Sequence, residues 1–271
     1  MNTASSMHRR PVQRLVSWLV LAAVLVIVVV FRQQLGLNAE LLERLKTNFT
    51  NNFIVDQRWR WLLSGLGQTI LITVFAVALG VVIGLSIALI KVLEHNGKKL
   101  FFLTRFANLY LTVIRGTPVV VQLLIIYYVI FGSVNISKVL VASLAFGINS
   151  GAYVAEIIRA GILAVDRGQM EAGRSLGLTY SVAMRRIVLP QAIKNILPAL
   201  FNELITLLKE TAVAGYIAVA DLTRSGDMIR SRTFDAFMPL LAVALIYLLI
   251  VMMLTRLMAR VERRLRRSDH R

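Results

Sequence analysis

Cysteine is missing from this chain, which removes disulfides, thiolate nucleophiles and zinc–thiolate sites together. Histidine is nearly missing too: His8, His95 and His270 are scattered, each beside Lys, Arg or Asn, and make no metal cluster. Carboxylates are few, with 14 Asp and Glu against 31 Lys and Arg and a net charge of +17. There is no G-x-x-x-x-G-K-[ST] phosphate loop, because Asn96-Gly97-Lys98-Lys99 lacks both the preceding glycine and the following Ser or Thr. Paired carboxylates, a Ser-His-Asp set and a nucleophile elbow are absent as well. No redox or metal role is indicated, ATP would have to be bound elsewhere, and no set of residues makes an intramembrane enzyme credible.

Apolar residues are abundant, at 57% of 271 residues with a mean hydropathy of +0.71. That exceeds the roughly half expected of a soluble domain, and the chain reads as an integral membrane protein. A helix needs about 20 mostly apolar residues to cross the hydrocarbon core. Leu15 to Phe31, Trp61 to Ile90, Gly116 to Ser137, Val139 to Ala155 and Ala236 to Thr255 contain no Asp, Glu, Lys or Arg. A sixth run, residues 195–220, is interrupted by Glu203, Lys209 and Glu210. Arg9, Arg10 and Arg14 before the first run imitate a signal peptide, but an h-region is about 7–15 residues long. This run is longer and continues into Phe31-Arg32-Gln33-Gln34, which reads as a retained anchor followed by an external loop to residue 60.

Orientation follows from the Lys/Arg bias. With six spans and the N-terminus inside, residues 1–14, 91–105, 159–194 and 256–271 are cytoplasmic and hold twenty Lys and Arg, against nine in the outer loops. The positive-inside rule therefore predicts both termini in the cytoplasm. The basic tail RLMARVERRLRR reads as an anchor to anionic lipid heads rather than a nucleic-acid site.

This topology leaves a basic, glycine-punctuated stretch, QMEAGRSLGLTYSVAMRRIVLP from Gln169 to Pro190, on the cytoplasmic side. Gln169 to Leu176 has good helix formers, Gly177 suits a left-handed C-cap, Thr179 is placed to cap a helix from Tyr180, and Pro190 predicts its end. The pattern is a knob of two short helices. A DNA-binding helix-turn-helix would need a soluble presentation that nothing here supplies. A surface loop and a docking element for a cytoplasmic protein are the other readings. Docking explains the basic face of Arg174, Arg185 and Arg186 and the small Ala172, Gly173 and Gly177.

Glu171-Ala172-Gly173, three residues, Gly177, nine residues, Ile187, one residue and Leu189-Pro190 resemble the EAA signature of permease subunits of binding-protein-dependent ABC importers. RGTPVVVQLL (115–124), NSGAYVAEIIRAGI (149–162) and LPALFNELITLLKETAV (197–213) resemble the polar amino acid branch, which includes histidine, glutamine, arginine and opine permeases. The likeness covers residues 61 to 267 or so; residues 1–60 lie outside it. It implies an all-α integral membrane protein of the type I ABC importer kind, with about six transmembrane helices. Residues 61–271 would form the permease domain and 168–190 its EAA loop, in the bacterial cytoplasmic (inner) membrane. It also implies a coupling helix seated in a separate ATP-binding subunit, contacted by Glu171 and turned at Gly177. ATP and Mg would then belong to that partner and not to this chain. An external solute-binding protein, a second permease subunit and a polar amino acid substrate complete the expected system. Gly173 departs from the signature, which usually has alanine there. Glycine costs a helix about 1 kcal/mol relative to alanine, so the first short helix is expected to be looser.

Polar residues inside spans are expensive and usually face a bundle interior or a cavity. Asn149, Tyr153 and Glu156 share one helical face, either lining a substrate path or, for Glu156, pairing with Arg159. Asn202, Thr206 and Lys209 form a second stripe with Glu203 and Glu210 beside it, read as a polar pathway or as an internal salt bridge. Gln122 is a further candidate of the same kind. Ala76, Gly80, Gly84 and Ala88 recur every four residues, a packing stripe within the subunit or at a dimer interface. A secondary transporter would often show an internal repeat, and a membrane scaffold would not need the polar stripes.

Overall fold

The computed structural model describes residues 39–95 and 100–267, all in helices and their connections. The first apolar run, Leu15 to Phe31, lies outside the described residues. The described residues before Asp56 belong to a separate unit, in which α1 (Ala39–Phe49) passes into a π-helical turn, Thr50–Ile54. The second unit, from Asp56 onward, carries the rest.

Its spine is α2 (Trp59–His95), 37 residues without a proline. At 1.5 Å per residue it is about 55 Å long, more than enough to cross a bilayer. It packs along α5 (Lys138–Leu163). The small-residue stripe makes that contact: a Cβ on Gly80 would meet Ser150 at 3.1 Å, and one on Gly84 would meet Val154 at 2.5 Å. α5 reciprocates with Gly151, whose added Cβ would lie 2.9 Å from Ile83. The stripe is therefore packing within the subunit. The opposite face of α2 exposes Leu63, Ile70, Val74, Val82, Leu85 and Leu89, a surface suited to lipid.

Between these helices run α3 (Phe101–Gly116) and α4 (Val119–Ile125), the latter continued by a π-helical turn to Ile130. They meet at 109° across Thr117-Pro118. Pro118 has no N–H to give and its fixed φ suits the residue that starts a new helix, so the chain breaks at Arg115-Gly116-Thr117-Pro118. After α5 come α6 (Arg167–Ser175), the short α7 (Tyr180–Ala183) with a π-helical turn to Val188, and α8 (Leu189–Glu210). A 3-10 stretch, Thr211–Ile217, leads to α9 (Leu222–Thr233) and α10 (Phe237–Arg267).

Three of the described helices, α2, α5 and α10, are long and apolar enough to span a membrane, or four if the bent α3–α4 pair counts as one. α8 is long enough, about 33 Å, but its polar residues keep it outside that count. The sixth apolar run is not one continuous α-helix, since it changes to 3-10 winding at Thr211.

The core has two main parts. Ile72, Ala76, Leu123, Phe146, Leu207 and Ile217 fill one, and Ala88, Val154, Ile158, Val188, Ala192 and Ile196 fill the other, beneath the Gln169–Pro190 stretch. α9 closes the far end of α2. Asp221, fully buried, caps it by accepting from the Thr223 and Arg224 backbone N–H groups at 2.9 and 3.2 Å. Leu222 N–H donates to Thr69 Oγ1 at 3.1 Å, tying α9 to the first turns of α2.

Candidate functional site

The basic stretch begins at a built helix start. Asp166 precedes α6 and its Oδ1 accepts from Gly168 N–H at 2.7 Å. The helix ends in a Schellman turn: Leu178 N–H donates to Gly173 O at 3.1 Å and Gly177 N–H to Arg174 O at 3.0 Å. Gly177 takes φ +82°, the left-handed conformation expected of it. Gly173 is buried where α6 folds back on the following turn, and a Cβ there would lie 2.8 Å from Ile187 Cδ1. The glycine that departs from the signature thus sits under an isoleucine of the same signature.

The second half differs from expectation. Thr179 is the residue before α7 and is extended, but its side chain makes no cap hydrogen bond. Pro190 does not end the helix. The π-helical turn Met184–Val188 widens the winding just before the proline, Leu189 keeps helical angles, and α8 runs on to Glu210. The widened turn leaves room for the ring and relieves the hydrogen bond that proline cannot donate. The knob is therefore one short helix, α6, folded against the first turns of a long one. Gln191 Nε2 joins the two, donating to Ile187 O at 3.0 Å and to Gln169 Oε1 at 3.3 Å.

Glu171, Ala172, Arg174, Arg185, Arg186, Leu189 and Pro190 are exposed, Ile187 half-buried. Leu176, absent from the sequence candidates, is 82% exposed at the C-cap of α6. An apolar residue directly before a C-cap glycine was the signal available for it. Behind the loop lies a cavity of about 620 Å³, lined by Glu171 and Arg167 on the loop, Lys91 and Glu94 on α2, and Arg159 on α5. Lys91 Nζ donates to Glu94 Oε2 at 2.5 Å and to Asn108 Oδ1 at 3.0 Å, linking the end of α2 to α3.

The intramembrane polar candidates divide into two groups. Gln122 and Asn149 are buried and meet: Asn149 Nδ2 donates to Gln122 Oε1 at 2.9 Å. Gln122 Nε2 donates to Ile114 O at 2.8 Å and to Thr117 O and Oγ1 at 3.1 and 2.8 Å. This amide therefore staples the sharp α3–α4 bend to α5. Tyr153 lies half-exposed under Arg115, whose guanidinium is 5.8 Å from the ring centre. Glu156 is ion-paired with Arg159, the alternative that the spacing allowed.

On α8, Asn202, Thr206 and Lys209 form an exposed stripe, and Glu203 and Glu210 beside them are half-buried. Glu203 Oε1 accepts from Ser150 Oγ at 2.8 Å, joining α8 to α5. Among the described residues no ion pair forms within Glu203, Lys209 and Glu210. The stripe is polar, left exposed by the other described residues, and carried by a helix whose start is the basic loop.

Residues 80–267 match the family model described as the binding-protein-dependent transport system inner membrane component. The arginine transport system permease protein ArtQ of Bacillus subtilis is 39% identical over 211 residues, 77% of this chain and 94% of that protein. The putative glutamine transport system permease protein GlnP of Rickettsia conorii is 38% identical over 76% of this chain and 93% of its own length. A chain from the crystal structure of an amino acid ABC transporter with histidines is 47% identical with a TM-score of 0.71, covering 78% of this chain and 96% of that one. A chain of the inward-facing MetNI methionine ABC transporter, 21% identical with a TM-score of 0.66, shares the fold over 76% of this chain and 97% of its own. This chain belongs to the family of inner membrane permease components of binding-protein-dependent transport systems.

Proposed function

We propose that this chain is the permease subunit of an ABC importer for polar amino acids and that the Gln169–Pro190 loop couples it to a separate ATPase. One observation carries the reading. The signature, with Gly173 in place of its second alanine, folds into a glycine-turned helix that exposes Glu171, Ala172 and Leu176, while its other arm is the first turn of α8. A push on α6 is therefore delivered to the helix that bears the polar stripe Asn202, Thr206 and Lys209. Glu171 and the exposed Arg185 and Arg186 meet the ATPase, Gly173 and Ile187 pack the elbow, and Gly177 makes the turn.

In this reading the loop is cytoplasmic, both termini lie on that side, and ATP with Mg is held by the partner. A second permease subunit covers the exposed stripe, which lines the path with Glu203 and Glu210, while Gln122, Asn149, Tyr153 and Glu156 hold the adjoining helices. A solute-binding protein delivers the amino acid from outside. Only a difference in partner affinity between two conformations moves such an equilibrium, so ATP-driven docking at α6 must favour one arrangement of α8. The polar amino acid class is supported by relatives that include an arginine and a putative glutamine transport permease.

Uptake of a panel of labelled amino acids into proteoliposomes tests this. The expected result is ATP-dependent uptake of a polar amino acid that requires the ATPase and the solute-binding protein. Equal uptake without the ATPase would instead make the chain a secondary transporter.

A further inference from the structure

The chain ahead of Trp59 lies outside the matched residues 80–267, and its described helix raises a question of what holds it. α1, AELLERLKTNF, has 11 residues, short of the ~12–15 below which an isolated helix is marginal in water. A helix of that length is held by whatever its apolar face packs on. Leu42, Leu45 and Phe49 stand at i, i+3 and i+7, one stripe of the helix, and are 71%, 39% and 51% exposed. Ile54 and Val55, just beyond, are exposed as well. Its described support is local: the Phe49 and Phe53 ring centres lie 5.2 Å apart, and Asn52 Nδ2 donates to Asn48 O at 2.8 Å. Among the described residues, then, nothing covers the stripe.

The charges on α1 balance. Glu40 and Glu43 stand against Arg44 and Lys46, and Glu43 lies 4.0 Å from Lys46. Such a face has no field with which to select an acidic or a basic protein. An apolar stripe backed by a charged face, with little hydrophobicity overall, is instead the profile of a helix lying in a membrane–water boundary. Lys46, four residues after Leu42, borders the stripe at a place where a lysine stem covers apolar surface while its ammonium stays in water.

Connectivity selects the occupant. Thr50–Ile54, Val55–Gln57 and Arg58 are all that separates α1 from α2. A chain of that length reaches about 35 Å at full extension, and less when wound into turns. α2 is long and apolar enough to cross a membrane, and it opens with Trp59 and Trp61, the residue type enriched at the edge of a bilayer. α1 is therefore tethered within reach of the lipid surface that α2 enters. Tethering gives that surface a high effective concentration, whereas a soluble partner has to be recruited.

We propose that α1 is an interfacial strap, lying along the lipid–water boundary with Leu42, Leu45 and Phe49 in the lipid and Glu43 and Thr47 toward water. Burial of the apolar stripe holds it there, without a call on anionic lipid.

The absence of cysteine makes the test direct, because any introduced thiol is the only one. The full chain is reconstituted in vesicles carrying, one at a time, Leu42→Cys, Leu45→Cys, Phe49→Cys, Glu43→Cys and Thr47→Cys, each with a nitroxide spin label. Power saturation then compares collisions with oxygen, which concentrates in lipid, and with a water-soluble nickel chelate. The three stripe labels are expected to favour oxygen, at a depth of about 5–10 Å, and the labels at 43 and 47 to favour nickel. The pattern should be the same in phosphatidylcholine vesicles, in vesicles containing phosphatidylglycerol and in raised salt. Adding Leu42→Asp to the chain labelled at Phe49→Cys should move that label from oxygen toward nickel. Nickel access at all five positions overturns the strap. Stripe labels shielded from both reagents mean that a protein surface, from this chain or another, covers the stripe, which overturns it too. Insertion confined to anionic vesicles, or a Phe49→Cys label unmoved by Leu42→Asp, overturns apolar burial as the anchor. The importer reading stands whichever result is obtained, since α1 lies outside the family match.

Discussion

Single residues set the shape of the Gln169–Pro190 loop through backbone geometry more than through side-chain chemistry. Gly177 stands at φ +82° with nothing within 4 Å of an added Cβ, so only the backbone conformation opposes substitution. Gly177→Ala is expected to cost about 1–2 kcal/mol of local stability, while Gly177→Asn, which tolerates the left-handed region, should cost less. Amide hydrogen exchange in α6 checks this: protection should fall in the order Gly, Asn, Ala, and equal protection in all three would refute the turn as the constraint. This glycine was legible in the sequence because its turn is local, needing only a helical run before it. Pro190 misled for the complementary reason. A proline predicts a helix end unless the preceding turn is widened, and a π-helical turn has no side-chain signature. Leu176 was passed over because exposure at a cap depends on how the turn is aimed.

At the level of elements, the bent α3–α4 pair and the capped α9 carry the clearest consequences. The bend is tied to α5 by the Gln122–Asn149 hydrogen bond. Gln122→Leu leaves Asn149 Nδ2 without that acceptor, and a buried unsatisfied donor costs about 1–3 kcal/mol. Gln122→Leu/Asn149→Leu should therefore destabilise by less than the sum of the two single changes, measured as thermal unfolding of the purified complex. Strict additivity would mean that the two amides do not act as a pair. The sequence marked both residues as pathway candidates, since polarity inside a span shows cost without showing partner. For α9, the Arg230 hydrogen bond, aided by the charges of Arg230 and Arg224, holds the Asp227 carboxyl below its ordinary value of 3.8. A depressed carboxyl contributes its stability above that ordinary value and loses it as pH falls through the depressed one. The contribution is small because these groups are partly solvated and screened. Exchange protection in α9 should decline as pH falls below 3.8 and be flat with pH in Asp227→Asn; an identical decline in both would assign the effect elsewhere.

For the whole molecule, apolar runs announced the all-helical membrane architecture, and α2, α5 and α10 appear near their expected positions. Which helix packs on which was not legible. The Ala76-Gly80-Gly84-Ala88 stripe fits a partner subunit as well as α5, and only the facing Ser150, Gly151 and Val154 settle it. The other described residues leave the α8 stripe uncovered, and that is the ground for proposing a path along Asn202, Thr206 and Lys209 that a second permease completes. The proposed coupling requires that α6 pass motion from an ATPase to α8. The most direct measurement is amino acid uptake and nucleotide binding, side by side, in the reconstituted complex carrying Glu171→Arg. Uptake is expected to collapse while the complex still binds nucleotide. Unimpaired uptake in Glu171→Arg would contradict it.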